Sequence, residues 1–151
     1  MLSLAIFKPG RHTAVNGKVI EFSDAQLKAS AEAYKPELHE APLVVGHPKT
    51  DDPAYGWAKA LSFSGGVLNA EPHQVDGQFE SMVNAGRFKK ISASFYEPNA
   101  PGNPVPGVYY LRHIGFLGAR APSVHGLKNA SFAADEKGIV EFSDWGDSIV
   151  A

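Results

Sequence analysis

The chain has 151 residues, 44% of them hydrophobic, with 14 Lys and Arg against 16 Asp and Glu and no cysteine. At this length a single domain of about 150 residues with a substantial core is expected. The net charge of −2 excludes a basic nucleic-acid binder that works by neutralising phosphates, the missing cysteines exclude disulfides and thiolate chemistry, and no apolar run approaches the ~20 residues that cross a bilayer.

The 15 Gly and 11 Pro favour short strands and frequent turns. Leu2 to Phe7 reads as a first strand, stopped by Pro9-Gly10; it lacks the basic start and apolar length of a secretory signal, so a cytoplasmic chain is expected. Asn16-Gly17 signals a hairpin, with Lys18 to Phe22 as the returning strand. Ser23, with Gln26 three residues on, forms a capping box for a helix whose apolar stripe is Leu27, Ala31 and Tyr34. Pro36 ends it. Pro42 to Gly46 reads as a short buried strand delivering His47, followed by a polar loop with Asp51 and Asp52.

Trp57 to Phe63 and Val67 to Glu71 pair across Ser64-Gly65-Gly66 as a second hairpin. Val75, Phe79, Met82 and Val83 mark a second helix, closed at Gly86. Lys90 to Tyr96 alternates, with Ile91, Ala93 and Phe95 on one face and Ser92, Ser94 and Tyr96 on the other. A proline-rich loop over 98–107 precedes a strand from Tyr109 to Leu117, on which alternation puts His113 on the face of Leu111 and Leu117. After Gly126 the pattern fades, and residues 133–151 are expected to be a poorly packed tail. Ile20-Glu21-Phe22-Ser23-Asp24 is echoed by Val140-Glu141-Phe142-Ser143-Asp144, a match too short for a repeat architecture.

Of the six histidines, His12, His39, His73 and His125 sit in polar loop contexts that suit surface side chains. His47, at a strand end, suits acid–base work and equally a structural histidine. Ser92 and Ser94 share a strand face and could both look into one cleft; a serine there is more often simply hydrogen-bonded. A polar ring at His113 among apolar neighbours needs a partner. His47 and Asp51 have helical ligand spacing, but Pro48 and Pro53 argue against a helix there, so no metal site is expected. There is no Gly-x-Ser-x-Gly elbow and no phosphate-cradling loop.

Three segments carry a resemblance. Val44-Val45-Gly46-His47-Pro48 with Pro53-Ala54-Tyr55-Gly56-Trp57 resembles the His segment of Mu-like prophage I proteins, the head-maturation proteases of Mu-like phages. Asn84 to Phe95 resembles their Ser segment, and Tyr110 to Gly118 with Ala121-Pro122 the strand and turn that follow. The order is also similar to the wider prohead protease and herpesvirus assemblin group. The resemblance implies an α+β, mostly β fold, built as a closed antiparallel barrel with surrounding helices, over residues 1–132.

It further implies a serine endopeptidase with Ser92 as nucleophile, His47 as general base and His113 as the third member. Ser94 competes for the first role, and Asp51 or Asp52 for the third. The turn Gly118-Ala119-Arg120 is the candidate source of oxyanion-binding N–H groups. No cofactor or metal is implied. The implied partners are phage scaffold and major capsid proteins and the chain itself, through self-cleavage or a homo-oligomer. The implied location is the host cytoplasm, inside the prohead, with a scaffold region beyond the tail. A non-catalytic capsid-assembly module with the same fold is the competing expectation.

Overall fold

A computed structural model describes residues 3–46, 48, 51–119 and 138–145, with the backbone alone for 143–145. Among the described residues, nine strands and two helices follow in the order β1 (Leu4–Phe7), β2 (Gly10–Thr13), β3 (Val19–Phe22), α1 (Asp24–Ala33), β4 (Pro42–Val45), β5 (Gly56–Ser64), β6 (Val67–His73), α2 (Gly77–Asn84), β7 (Lys90–Tyr96), β8 (Tyr110–Leu117) and β9 (Ile139–Trp145). Seven strands make one sheet in the order β1-β6-β5-β4-β8-β7-β9, and β2 and β3 make a separate ribbon. Every neighbouring pair is antiparallel except β4 and β8, which run parallel.

The local signals explain most elements. Ser23 accepts from the Gln26 backbone N–H while the Gln26 side chain accepts from Ser23 N–H, so both ends of the capping box are closed. Gly65 and Gly66 both have positive φ, 62° and 77°, the primed turn that lets β5 and β6 pair without splaying. Asp76 caps α2 through the Phe79 N–H at 2.8 Å. Buried Asn103 ties the 98–107 loop together: its side-chain amide donates to the carbonyls of Glu97 and Val108 and accepts from Val105 N–H.

The composition, mostly β with two helices, fits the α+β expectation, but the closed antiparallel barrel does not hold: the sheet is a curled, open half-barrel. The reason lies at its two edges. Closure would require β1 to ladder with β9. β1 runs only four residues, and Pro9, which has no N–H to offer, then turns the chain into the ribbon. The ribbon's turn reaches β9 instead, where Val15 N–H donates to the Glu141 carbonyl at 2.7 Å. Side chains span the gap that strands do not. Phe7 of β1 lies 4.9 Å from both Phe22 of β3 and Phe142 of β9, and 5.3 Å from Phe95 of β7, centroid to centroid.

The loosely packed end expected from residue 133 does not describe Ile139–Trp145. β9 pairs with β7, and Val140 and Phe142 are buried in the core. Alternation missed this strand because it lies between stretches without a period. The remainder of the expected tail lies outside the described residues.

On the other flank, α1 delivers Tyr34 into the sheet. Its hydroxyl donates to the Ala58 carbonyl at 2.6 Å and accepts from Ala41 N–H at 2.9 Å, and its ring stacks on Tyr110 at 5.5 Å. Burial pushes the Tyr34 hydroxyl from 10.0 up to about 12, the hydrogen bond from Ala41 partly opposing the rise. An unfolded tyrosine ionises near its ordinary value, so the stability that neutral Tyr34 contributes is complete below pH 10 and lost as the pH climbs towards about 12. Urea-unfolding midpoints should therefore fall steeply across that window, and less steeply in Tyr34→Phe.

Candidate functional site

The site is built where three strands meet. In the β7–β8 ladder Ser92 faces Gly115 and Ser94 faces His113. Directly opposed residues point to the same side of a sheet, so these four share one face. β4 flanks β8 on its other side, with Val44 opposite Gly115, and Gly46 N–H donates to the Phe116 carbonyl at 2.9 Å. β9 flanks β7, with Glu141 opposite Ser94.

Gly115 permits the convergence. A Cβ at that position would stand 2.8 Å from the Gly46 carbonyl oxygen and 3.5 Å from Ser92 Cβ. The first approach is closer than a real Cβ makes, and the obstacle is backbone. Any side chain there would therefore push β4 away and separate Gly46, the residue preceding His47, from Ser92.

Ser92 has no exposed surface, and its Oγ has no hydrogen-bond partner among the described residues. A buried hydroxyl without a partner costs about 1–3 kcal/mol, and such groups in a folded protein call for a reason. Ser94, equally buried, is engaged: its Oγ accepts from Arg112 Nη1 at 3.2 Å. This separates the two serines that the sequence leaves in competition.

A β-bulge explains the third part of the site. The ladder pairs Ser94 with His113 but Phe95 with Leu111, so Arg112 is an extra residue in β8. The bulge overturns the expected face-sharing of His113 with Leu111, which turns instead to the side of Phe95. It also lets two consecutive residues address one group, which plain alternation forbids. Arg112 Nη1 lies 3.8 Å, and His113 Nε2 3.6 Å, from the same Glu141 Oε1. Both are ion-pair distances rather than hydrogen bonds. His39 steadies the bulge by donating from Nε2 to the Arg112 carbonyl at 2.8 Å. Glu141 and Arg112 carried no expectation from the sequence. The available signal was a carboxylate flanked by Val140 and Phe142, two core residues in strand alternation.

Other expected residues are not gathered here. Asp51 and Asp52 are exposed in the loop before β5. A Cβ at Gly118 would meet Arg87 and Phe88 at 3.7 Å and not Ser92, and Gly118 and Ala119 are exposed. His47, Arg120 and His125 lie outside the described residues. His12 and His73 sit in strands rather than loops: His12 packs on Phe7 and contacts the Lys8 carbonyl, and His73 pairs with Glu40 at 2.7 Å. Among the described residues, no group of three acidic or histidine side chains could hold a metal ion. Comparison with protein-family models, curated proteins and solved structures finds no match.

Two substitutions separate the strain from the scaffold. Ser92→Ala removes a hydroxyl without a partner and should raise stability by about 1 kcal/mol, seen as a higher urea midpoint. Gly115→Ala forces β4 and β8 apart and should lower it by about 1–3 kcal/mol. A less stable Ser92→Ala would mean that the hydroxyl is satisfied after all.

Proposed function

We propose that the chain is a serine endopeptidase of phage head maturation, with Ser92 as nucleophile, His47 as general base and His113 as the third member. The supporting observation is the buried Ser92 hydroxyl left without a partner among the described residues, across the ladder from a glycine whose missing side chain lets the carbonyl of Gly46, the residue before His47, come close. In this reading His47 takes the hydroxyl proton as Oγ attacks the scissile carbonyl carbon. The proton then passes to the leaving amine as the C–N bond breaks, and water hydrolyses the resulting ester to restore Ser92. His113 holds the productive tautomer of His47. The substrates are scaffold and capsid precursor chains, and the chain itself, held at high local concentration inside the prohead.

The burial of Ser92 sets a condition on this chemistry. A peptide carbonyl reaches Oγ only when whatever covers it moves. A protease that must stay silent until a shell has assembled has a use for that condition. The same burial favours a second reading: a non-catalytic module that binds coat or scaffold protein through other surfaces, with Ser92, Ser94, His113 and Glu141 as a polar seam between strands.

A fluorophosphonate probe distinguishes the two readings. An activated serine displaces fluoride from phosphorus, leaving the phosphonyl group on Oγ. Mass spectrometry, after labelling long enough for the cover over Ser92 to open, should place the adduct on Ser92, retained in Ser94→Ala and lost in Ser92→Ala and His47→Ala. Cleavage of co-expressed capsid precursor should fall roughly 10³-fold or more in the last two. No adduct and no cleavage, with tight binding to coat protein, would establish the second reading instead.

A further inference from the structure

The proposed site leaves the carboxylate of β9 without a task. Glu141 is 9% exposed, and burying a carboxylate away from compensating charge is expensive. Its charge is met from β8, where Arg112 Nη1 and His113 Nε2 converge on Oε1 at 3.8 Å and 3.6 Å. Its backbone is pinned on both sides, by the pairing with Ser94 on β7 and by Val15 N–H on its carbonyl. Ser94 completes the surroundings by accepting from the same Arg112 nitrogen.

We propose that Glu141 is a positioning residue for the Ser92 site: its carboxylate keeps the proton of His113 on Nε2 and stabilises positive charge on that ring. This deepens the serine endopeptidase reading and rests on it. A neutral histidine is a poor third member, because it brings no charge to offset the imidazolium that forms when His47 takes the serine proton. A carboxylate at Nε2 changes that. With the proton held on the Glu141 side, Nδ1 on the opposite edge of the ring presents a lone pair, which can accept an N–H from His47. The negative charge then acts on the general base at one remove. Glu141 also offsets the Arg112 guanidinium, whose charge would otherwise disfavour any positive charge on the neighbouring imidazole.

The test is a double-mutant cycle on the full chain, read as the concentration dependence of fluorophosphonate labelling at Ser92. Glu141→Gln should lower the maximal labelling rate roughly 10- to 100-fold, the usual effect of removing a partner that orients a reacting group, at unchanged half-saturating probe concentration. Glu141→Asp, which keeps the charge, should stay closer to the parent. In a His113→Ala background, Glu141→Gln should change the rate less than about twofold, because the residue it acts through is gone. An equal loss in both backgrounds would overturn the proposal and assign Glu141 a structural role. If Glu141→Gln abolishes cooperative unfolding, Glu141→Met, uncharged and of similar length, carries the cycle. A second readout needs no activity: ¹⁵N shifts of the His113 ring should report Nε2–H in the parent and a mixture of tautomers in Glu141→Gln. Unchanged tautomers would overturn the proposal, whereas a parent that takes no label with tautomers that do shift would overturn the protease reading alone.

Discussion

At Gly115 of β8 the backbone of Gly46, just past the end of β4, approaches more closely than a side chain would allow. A Cβ there would meet the Gly46 carbonyl oxygen at 2.8 Å, while Ser92 Cβ on the other strand lies 3.5 Å from the same spot. β4 and β8 are the sheet's parallel pair. Parallel neighbours need a long crossover, so segments far apart in the chain, 43–46 and 91–95, end up flanking one strand. The chemistry proposed for this protein depends on that approach. A methyl group at position 115 would part the segment leading to His47 from the serine it is proposed to activate.

The second constraint is the extra residue in β8. A regular strand would send Arg112 and His113 to opposite faces. The bulge turns both towards Glu141, so a half-buried arginine meets His113, Glu141 and two serines that are almost free of solvent. Low polarity raises the stakes for each member. A satisfied group fixes its neighbours, and an unsatisfied one stores free energy. Ser94 is of the first kind and Ser92 of the second.

The open sheet follows from the same economy of strands. β1 is too short to close against β9, and the ribbon of β2 and β3 occupies the seam with hydrogen bonds at Val15 and an aromatic cluster around Phe7. Closure by side chains in place of backbone ladders leaves β1 and β9 as edges while keeping their apolar faces dry. The far flank is sealed differently, by α1 through the two-way hydrogen bonding of the Tyr34 hydroxyl and by α2 through Phe79, which meets Phe116 edge-on at 4.9 Å.

Local chemistry is legible in the chain without its fold. The Ser23–Gln26 box, the Gly65-Gly66 turn, the alternation of Lys90 to Tyr96 and the apolar run of β4 each arise from neighbours a few residues apart, and each stands where the sequence puts it. The tertiary structure alone decided which distant residues meet. It left the barrel open, drew Ile139–Trp145 into the sheet on an alternation only a few residues long, and shifted β8 by one residue at Arg112. It also set Glu141 beside His113 and left Ser92, rather than Ser94, without a partner. Strand register and edge pairing depend on contacts between segments separated by tens of residues, and no periodicity within either segment encodes which partner it takes.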